Sequence, residues 1–335
     1  MEQKVFHGID IESILEMRKR KRYGASIAVA NGDSVETLCL GTGRFGKDFP
    51  VNPDMLFQAG SVSKPVFAAT LLRYVDKGII NPDANISKAV SDFVDFPLTF
   101  SALLSHTAGF NVHGFPGYRA RHKPLSLEDV LNGAGNTPKV CRTMPYGKQY
   151  SYSGGGITLA ELAFTRITGT TLQDAFAQEV AAPLGLTRSG YYQPLDEDLI
   201  ENAAFGGQLG IWEDRTHGYH YFPERAAAGL WATPAELVKI GIALSRSFRK
   251  GGFLSKETAV RMMTPVMNHY GLCVECDADT ARHMGVNTGF ITFLKFSLSE
   301  DSCVAVMTNK FGITGTKMIR KLSEAGEQLF TNAKR

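Results

Sequence analysis

The sequence lacks any apolar run that approaches the ~20 residues needed to span a bilayer. Its first segment, Met1 to Arg22, carries Glu2, Asp10, Glu12 and Glu16 and has no continuous apolar stretch of the kind found in a secretory signal. These two absences predict a cytoplasmic protein that does not act at a membrane.

Cysteine is too scarce and too scattered for a disulfide framework, since the chain has only five, an odd number. Cys273 and Cys276 form a single C-x-x-C in a strand-like context, where residues three apart face opposite sides, and no second pair exists for a metal knuckle. The histidines His217, His220 and His269 lack an acidic or thiol partner at a recognisable spacing. We therefore expect no metal and no other cofactor.

Charge of either sign is not in excess, because 36 Lys and Arg residues face 33 Asp and Glu residues and leave a net charge of +3. This balance argues against a nucleic-acid partner. The one basic run, Arg18 to Arg22, ends a predicted amphipathic helix over Asp10 to Arg22, where cations complement the helix dipole. A hydrophobic content of 44% is ordinary for a soluble globular protein. The oligomeric state is not predicted.

Strand-like segments occur near both ends of the chain. Ser26–Ala30 and Val35–Leu40 flank Asn31-Gly32-Asp33, which predicts a β-hairpin. Phe290–Leu298 and Cys303–Thr308 also read as strands, and a last helix covers about Thr316 to Phe330. The pattern predicts an α/β (α+β) fold in which both termini build one antiparallel sheet with helices packed on it.

The middle of the chain, about 76–265, is mostly helical, with predicted helices at Leu127–Leu131, Leu159–Thr168, Leu172–Glu179 and Pro234–Leu244. The sheet region then comprises about 1–75 and 266–335. Because no repeat or linker-like segment interrupts the sequence, we expect one catalytic unit over 1–335.

Ser61-Val62-Ser63-Lys64 is the most informative stretch, because an apolar, helix-like segment from Pro65 to Leu72 follows it. At the start of a helix, residues three apart project from one face, so the amine of Lys64 can reach the hydroxyl of Ser61. A serine hydroxyl is a weak nucleophile until an adjacent base activates it. The pairing alone is also compatible with an N-cap serine followed by a solvated lysine.

Two further motifs occur in the order typical of S-x-x-K acyl-transfer enzymes, a tyrosine-serine pair (Tyr152-Ser153) and an H-x-G (His283-Met284-Gly285). Leu103–Gly109, Pro183–Leu186 and Gly229–Leu237 agree with the same pattern. Together these residues resemble the class C β-lactamase and D-alanyl-D-alanine peptidase family, including its esterase branch. The resemblance covers about Tyr23 to Lys310 and implies a β-lactamase/transpeptidase-like fold with the active site between its two regions.

The resemblance implies a serine hydrolase that forms an acyl-enzyme on Ser61. It makes Tyr152 the general base and Lys64 the group that tunes it, although the residues alone leave the base role open between the two. An ammonium beside a phenol is expected to favour the phenolate and so lower its pKa. The implied oxyanion donors are the backbone N–H groups of Ser61 and Val286.

The other substrate-binding residues implied are His283, Gly285, Ser153 and Gly154. His283 stands where β-lactamases usually carry lysine, and its charge is expected to be switchable. Gly285 is expected to allow a close approach of the strand to the substrate.

Two departures from the family pattern bear on the substrate. Gly154 replaces the asparagine of the second motif and offers no amide, and Met284 replaces a hydroxyl residue of the third. Both losses weaken recognition of β-lactams and D-alanyl peptides more than they weaken attack on a carbonyl. We therefore expect a carboxylesterase acting on small esters. The alternatives are a β-lactamase, D-aminopeptidase, DD-peptidase or peptide acyl-transferase acting on amides, and a family member that only binds.

Overall fold

A computed structural model of the protein describes residues 5–6, 9–10, 23–119, 125–206 and 218–332. The predicted helix over Asp10 to Arg22 lies outside this part of the chain, apart from Asp10, which belongs to a short strand. Within the described residues, no helix combines the length and the apolarity needed to cross a bilayer.

The strands are β1 (Val5–Phe6), β2 (Ile9–Asp10), β3 (Gly24–Asn31), β4 (Ser34–Gly41), β5 (Phe57–Gln58), β6 (Tyr118–Arg119), β7 (His220–Tyr221), β8 (Trp231–Ala232), β9 (Glu275–Cys276), β10 (Thr280–Asn287), β11 (Phe290–Ser297) and β12 (Ser302–Thr308). The α-helices are α1 (Ser63–Asp76), α2 (Phe100–Leu104), α3 (Leu127–Leu131), α4 (Gly154–Thr168), α5 (Leu172–Phe176), α6 (Ala182–Leu184), α7 (Glu197–Ile200), α8 (Arg225–Ala228), α9 (Pro234–Lys250), α10 (Lys256–Met263) and α11 (Ile313–Asn332). A π-helical turn, Ala177–Ala181, links α5 to α6, and Gly60–Val62 and Ser87–Val90 are 3-10 turns.

Six strands form one antiparallel sheet in the order β4-β3-β12-β11-β10-β9. The two ends of the chain meet in its centre, where β12 pairs with β3 and places Thr308 opposite Ala25. The predicted hairpin is confirmed, since Asn31 and Ser34 close the β3–β4 pair. This arrangement confirms the predicted α+β fold with an antiparallel sheet.

Helices cover both faces of the sheet. Helix α11 packs on β11 and β12, and its Met318, Ile319 and Leu322 join a small apolar core with residues of β3. Helix α9 packs on β3, β11 and β12 from the other face, where the main core lies. This second face is continuous with the helical region that contains the predicted site.

The predicted helices in the middle of the chain are present, with shifted ends. Leu127–Leu131 is helical as predicted, and a capping box formed by Ser126 and Asp129 begins it. Helix α4 starts earlier than predicted, at Gly154, because Ser153 caps it. Helix α9 starts at Pro234 as predicted and continues to Lys250, six residues beyond the predicted end.

Candidate active site

Ser61 lies in the 3-10 turn Gly60–Val62, which connects β5 to the start of α1. Lys64 follows in the first turn of α1, so the two side chains project from the same side, as predicted. Lys64 Nζ lies 2.9 Å from Ser61 Oγ. The amine therefore sits within hydrogen-bond reach of the candidate nucleophile.

Lys64 is almost completely buried, with 2% of its surface exposed. Burial disfavours the ammonium form and lowers the pKa of Lys64 to about 7. Its Nζ also donates a 2.7 Å hydrogen bond to the carbonyl oxygen of Ala227 in α8. When the amine is neutral, this donation leaves its lone pair available to the hydroxyl of Ser61.

Tyr152 lies beside this pair, with Lys64 Nζ 5.0 Å from the centroid of its ring. Burial raises the pKa of the Tyr152 phenol above its ordinary value, and a hydrogen bond with the Ser61 side chain offsets part of that rise. The expected lowering of this pKa by the Lys64 charge is therefore wrong for the free site. Near neutral pH the phenol keeps its proton, and the lysine is the group that can lose one.

Two glycines allow strand β10 to approach the nucleophile turn. A Cβ on Gly285 would overlap the carbonyl oxygen of Ala59 and lie 2.9 Å from the backbone nitrogen of Ser61. A Cβ on Gly60, which has φ +53°, would lie 2.7 Å from the backbone nitrogen of Val286. Gly285 therefore allows β10 to approach the backbone of the nucleophile turn, and its predicted close approach to the substrate stays a prediction.

The register of β10 against β11 indicates the direction of the Val286 N–H. The β10–β11 hairpin closes with Asn287 opposite Phe290, which makes Thr288-Gly289 a two-residue turn. Hydrogen-bonded and non-hydrogen-bonded pairs alternate in an antiparallel ladder, so the N–H one residue before the closing pair faces away from β11. The Val286 nitrogen lies beside Gly60, and both Ser61 and Val286 line the cleft, whereas the sharing of one oxyanion by their N–H groups stays a prediction.

His283 lies on β10 facing the protein interior, two residues before Gly285. Its Nδ1 lies 2.8 Å from the carbonyl oxygen of Met284 and its Nε2 lies 2.9 Å from Tyr270 Oη. A carbonyl can only accept, so Nδ1 carries the proton and Nε2 accepts from the tyrosine. Burial lowers the pKa of His283 to about 3, and the Lys64 charge adds to this. The expectation of a switchable positive charge here is wrong near neutral pH.

Ser153 and Gly154 are placed differently from the other predicted residues. The Ser153 hydroxyl donates to the carbonyl oxygen of Asn111 at 2.6 Å and accepts from the Gly156 N–H at 2.9 Å, which caps α4. Gly154 is buried against the 111–115 loop, where a Cβ would lie 2.9 Å from Phe115 Cε2. Neither residue lines the cleft, and their predicted contact with substrate stays a prediction.

A cleft of about 580 Å³ opens onto Ser61. Aromatic rings line much of it, and Glu275, Asn268, Met284 and Val286 complete its rim. His113, Gly114 and Phe115, from the loop between α2 and β6, are among its lining residues. The size is ordinary for a small-molecule site.

Several residues that support the site carried no signal in the sequence. Tyr270, which is hydrogen-bonded to His283, is an isolated tyrosine outside every motif. Asn287 Nδ2 donates to Gln58 Oε1 and to the carbonyl oxygen of Ala228, both at 3.0 Å, and so connects the end of β10 to β5 and α8.

Among the described residues, no group of three or more histidine, cysteine or acidic side chains could hold a metal ion.

Comparison with known proteins identifies the family. The sequence profile of the Beta-lactamase family matches residues 11–325. The esterase EstB of Burkholderia gladioli is 26% identical over 294 residues, which cover 82% of this chain and 73% of that protein. The unguisins hydrolase ungD' of Aspergillus campestris is 29% identical over 175 residues, 49% of this chain.

The chain spans only 32% of the length of that fungal hydrolase and 42% of penicillin-binding protein 4* of Bacillus subtilis, which is 22% identical. Among solved structures, the D-amino acid amidase from Ochrobactrum anthropi SV3 superposes with a TM-score of 0.78 at 19% identity, over 97% of this chain and 98% of the amidase. The penicillin-binding protein from Bacillus halodurans superposes with a TM-score of 0.72 at 20% identity, over 95% and 99%. These structures share the β-lactamase/transpeptidase-like fold predicted from the motifs, and the protein belongs to the Beta-lactamase family.

Proposed function

We propose that the protein is a serine hydrolase that forms an acyl-enzyme on Ser61 and acts on small carboxylic esters. The observation that carries this proposal is the 2.9 Å contact between Ser61 Oγ and a buried lysine amine whose pKa is lowered to about 7. An amine with that pKa is half deprotonated near neutrality, which is the range in which a general base works best.

In the first step, the neutral amine of Lys64 takes the hydroxyl proton of Ser61 while Oγ attacks the acyl carbon of the ester. The carbonyl oxygen gains the negative charge and accepts hydrogen bonds from the N–H groups of Ser61 and Val286. As the bond from carbon to the alcohol oxygen breaks, Tyr152 donates its proton to the departing alkoxide. The raised pKa of Tyr152 suits this donor role, since the phenol stays protonated.

Proton transfer then resets the site for deacylation. The phenolate left on Tyr152 is next to the ammonium of Lys64, so the proton that Lys64 took from Ser61 can pass to the phenolate, which restores the phenol and the neutral amine. Water attacks the acyl carbon with the same residues as base and oxyanion donors, and the carboxylic acid leaves as Ser61 regains its proton. The overall reaction consumes one ester and one water and yields one acid and one alcohol.

A preference for esters over β-lactams is supported by the second and third motifs. Gly154 has no side chain that could donate to a substrate amide, and Met284 is 47% exposed at the rim where the family pattern has a hydroxyl. His283 is neutral near pH 7, so it supplies no positive charge for a substrate carboxylate. Without these partners, the site has little means to bind amide-bearing, anionic substrates more tightly than simple esters.

The test compares kcat/KM for p-nitrophenyl acetate and butyrate with kcat/KM for nitrocefin, and includes labelling by a fluorophosphonate followed by mass spectrometry. We expect faster ester turnover, an adduct on Ser61, and neither turnover nor label in a folded Ser61→Ala variant. Nitrocefin turnover at or above the ester rate would favour amide chemistry instead. An adduct on Ser63 or Ser153 would move the nucleophile, and a wild-type protein that neither turns over nor labels would point to a binding role.

A further inference from the structure

His106 occupies an unusual backbone position next to the second motif. It is 2% exposed and has φ +56°, a left-handed conformation that few residues other than glycine and asparagine adopt readily. It follows helix α2 in the Leu103–Gly109 segment. Nothing in the mechanism above uses this histidine, so the fixed conformation calls for a separate explanation.

Three contacts connect His106 to Tyr152 and to the two residues that flank it. The carbonyl oxygen of His106 accepts from the Ser151 N–H at 2.8 Å. Its Nδ1 accepts from the Ser153 N–H at 3.2 Å. The imidazole ring itself packs on the Tyr152 ring, with centroids 4.3 Å apart and planes inclined at 37°. One residue thus fixes the backbone on both sides of Tyr152 and one side of its ring.

The protonation state of His106 follows from these bonds. Because Nδ1 accepts a backbone N–H, the proton of the neutral ring is on Nε2, which is buried without a hydrogen-bond partner in the described part of the chain. Burial holds the pKa of His106 well below its ordinary value, and the charge of Lys64 lowers it further. The ring therefore stays neutral, keeps its acceptor at Nδ1, and adds no second positive charge beside Lys64.

We propose that His106 is a positioning residue that holds the Tyr152 hydroxyl against Ser61, a role that rests on the proposed function. The Tyr152 hydroxyl lies on the Cβ–Cγ axis, so its position depends on the direction of the Cα–Cβ bond and on rotation about that bond. The backbone bonds at Ser151 and Ser153 fix the direction of the Cα–Cβ bond, and the imidazole packed on the ring limits rotation about it toward the His106 side. A misplacement of a reacting group by 1 Å can lower a rate by about 10²-fold.

His106→Asn is the variant that separates these contacts. Asparagine adopts positive φ readily and can place Oδ1 near the position of Nδ1, so it keeps the acceptor for Ser153 and removes only the ring. We expect kcat/KM for p-nitrophenyl butyrate to fall by about 10²-fold. Ser105→Ala is the matched control, because the Ser105 hydroxyl bonds Ser101 and Thr107 in the same turn. It should keep kcat/KM near the wild-type value.

The double variant His106→Asn/Tyr152→Phe distinguishes positioning from general structural support. If His106 acts through the Tyr152 hydroxyl, its replacement should cost little further activity once that hydroxyl is gone. An equal fall in kcat/KM in both backgrounds, or no fall in the single variant, would overturn the proposal. If the melting transition shows that His106→Asn does not fold, His106→Gln is assayed in the same way, because its side chain fills more of the volume of the histidine. A Tyr152→Phe variant with wild-type activity would instead refute the proposed role of Tyr152.

Discussion

Replacing Gly285 by alanine tests the proposed oxyanion site without removing any reacting group. The added Cβ would overlap the carbonyl oxygen of Ala59 and lie 2.9 Å from the backbone nitrogen of Ser61. Both neighbours are backbone atoms, so no side-chain rotation can relieve the contact. The strand must move away from the nucleophile turn, and this separates the two N–H groups that would share the oxyanion.

The size of the effect follows from this geometry. Separating overlapped atoms to van der Waals contact requires a shift on the order of 1 Å, which is enough to take one donor out of hydrogen-bond range. Loss of one oxyanion donor costs about 10²- to 10³-fold in kcat. We therefore expect Gly285→Ala to lower kcat for p-nitrophenyl butyrate by that factor, while overpacking lowers stability by about 1–3 kcal/mol.

The matched control is Gly114→Ala, a glycine at the wall of the same cleft where a Cβ would meet no atom within 4 Å. It should leave kcat near the wild-type value. The assay is steady-state ester hydrolysis at a temperature well below both melting transitions. A folded Gly285→Ala variant with wild-type kcat would refute the assignment of the Ser61 and Val286 N–H groups as oxyanion donors.

Three further predictions follow from the buried ionisable groups. The fraction of Lys64 in its neutral form rises as pH passes its pKa of about 7, so log kcat/KM should rise with pH below about 7 and level off above it. A flat profile from pH 5 to 9 would exclude Lys64 as the base. Lys64→Ala and Tyr152→Phe should each slow acylation by roughly 10²- to 10⁴-fold, and the double variant should lose far less than the product of the two. Burial raises the pKa of Glu224 from 4.5 to about 8, so the contribution of this carboxyl to the free energy of unfolding is fully present below pH 4.5 and is lost as pH rises to about 8. Glu224→Gln should therefore raise the melting temperature at pH 9 and change it little at pH 4.5, and equal shifts at both would contradict this.

The parts of the fold that the sequence could predict are those determined by residues close together in the chain. Alternating apolar residues around Asn31-Gly32-Asp33 specify a hairpin wherever it lies, and that hairpin is β3–β4. The three-residue spacing of Ser61 and Lys64 likewise brings them together at the start of any helix. The predicted end of α9 at Leu244 is wrong, because the apolar run stops there while the buried face continues through Ser245 and Ser247.

The electrostatics of the site could not be predicted in this way, because burial is decided by residues distant in sequence. A lysine beside a tyrosine suggests a lowered phenol pKa, yet burial raises the pKa of Tyr152 and lowers that of Lys64. The partner of His283 is Tyr270, which stands in no motif and reaches the site only when the chain folds. The same holds for His106, whose hydrogen bonds with Ser151 and Ser153 join segments that are distant in sequence.

Gly154 shows how a missing side chain can be a requirement of the fold as well as of specificity. In the sequence it is only the absence of an amide, which suggests that asparagine at 154 would restore a contact with β-lactams. In the structure its N–H donates to the carbonyl oxygen of His113, and a Cβ would lie 3.1 Å from that oxygen and 2.9 Å from the Phe115 ring. The loop that walls the cleft therefore occupies the direction in which the new side chain would extend. Restoring the amide would displace Phe115, so the proposed preference for esters would depend on the glycine and on the loop packed against it.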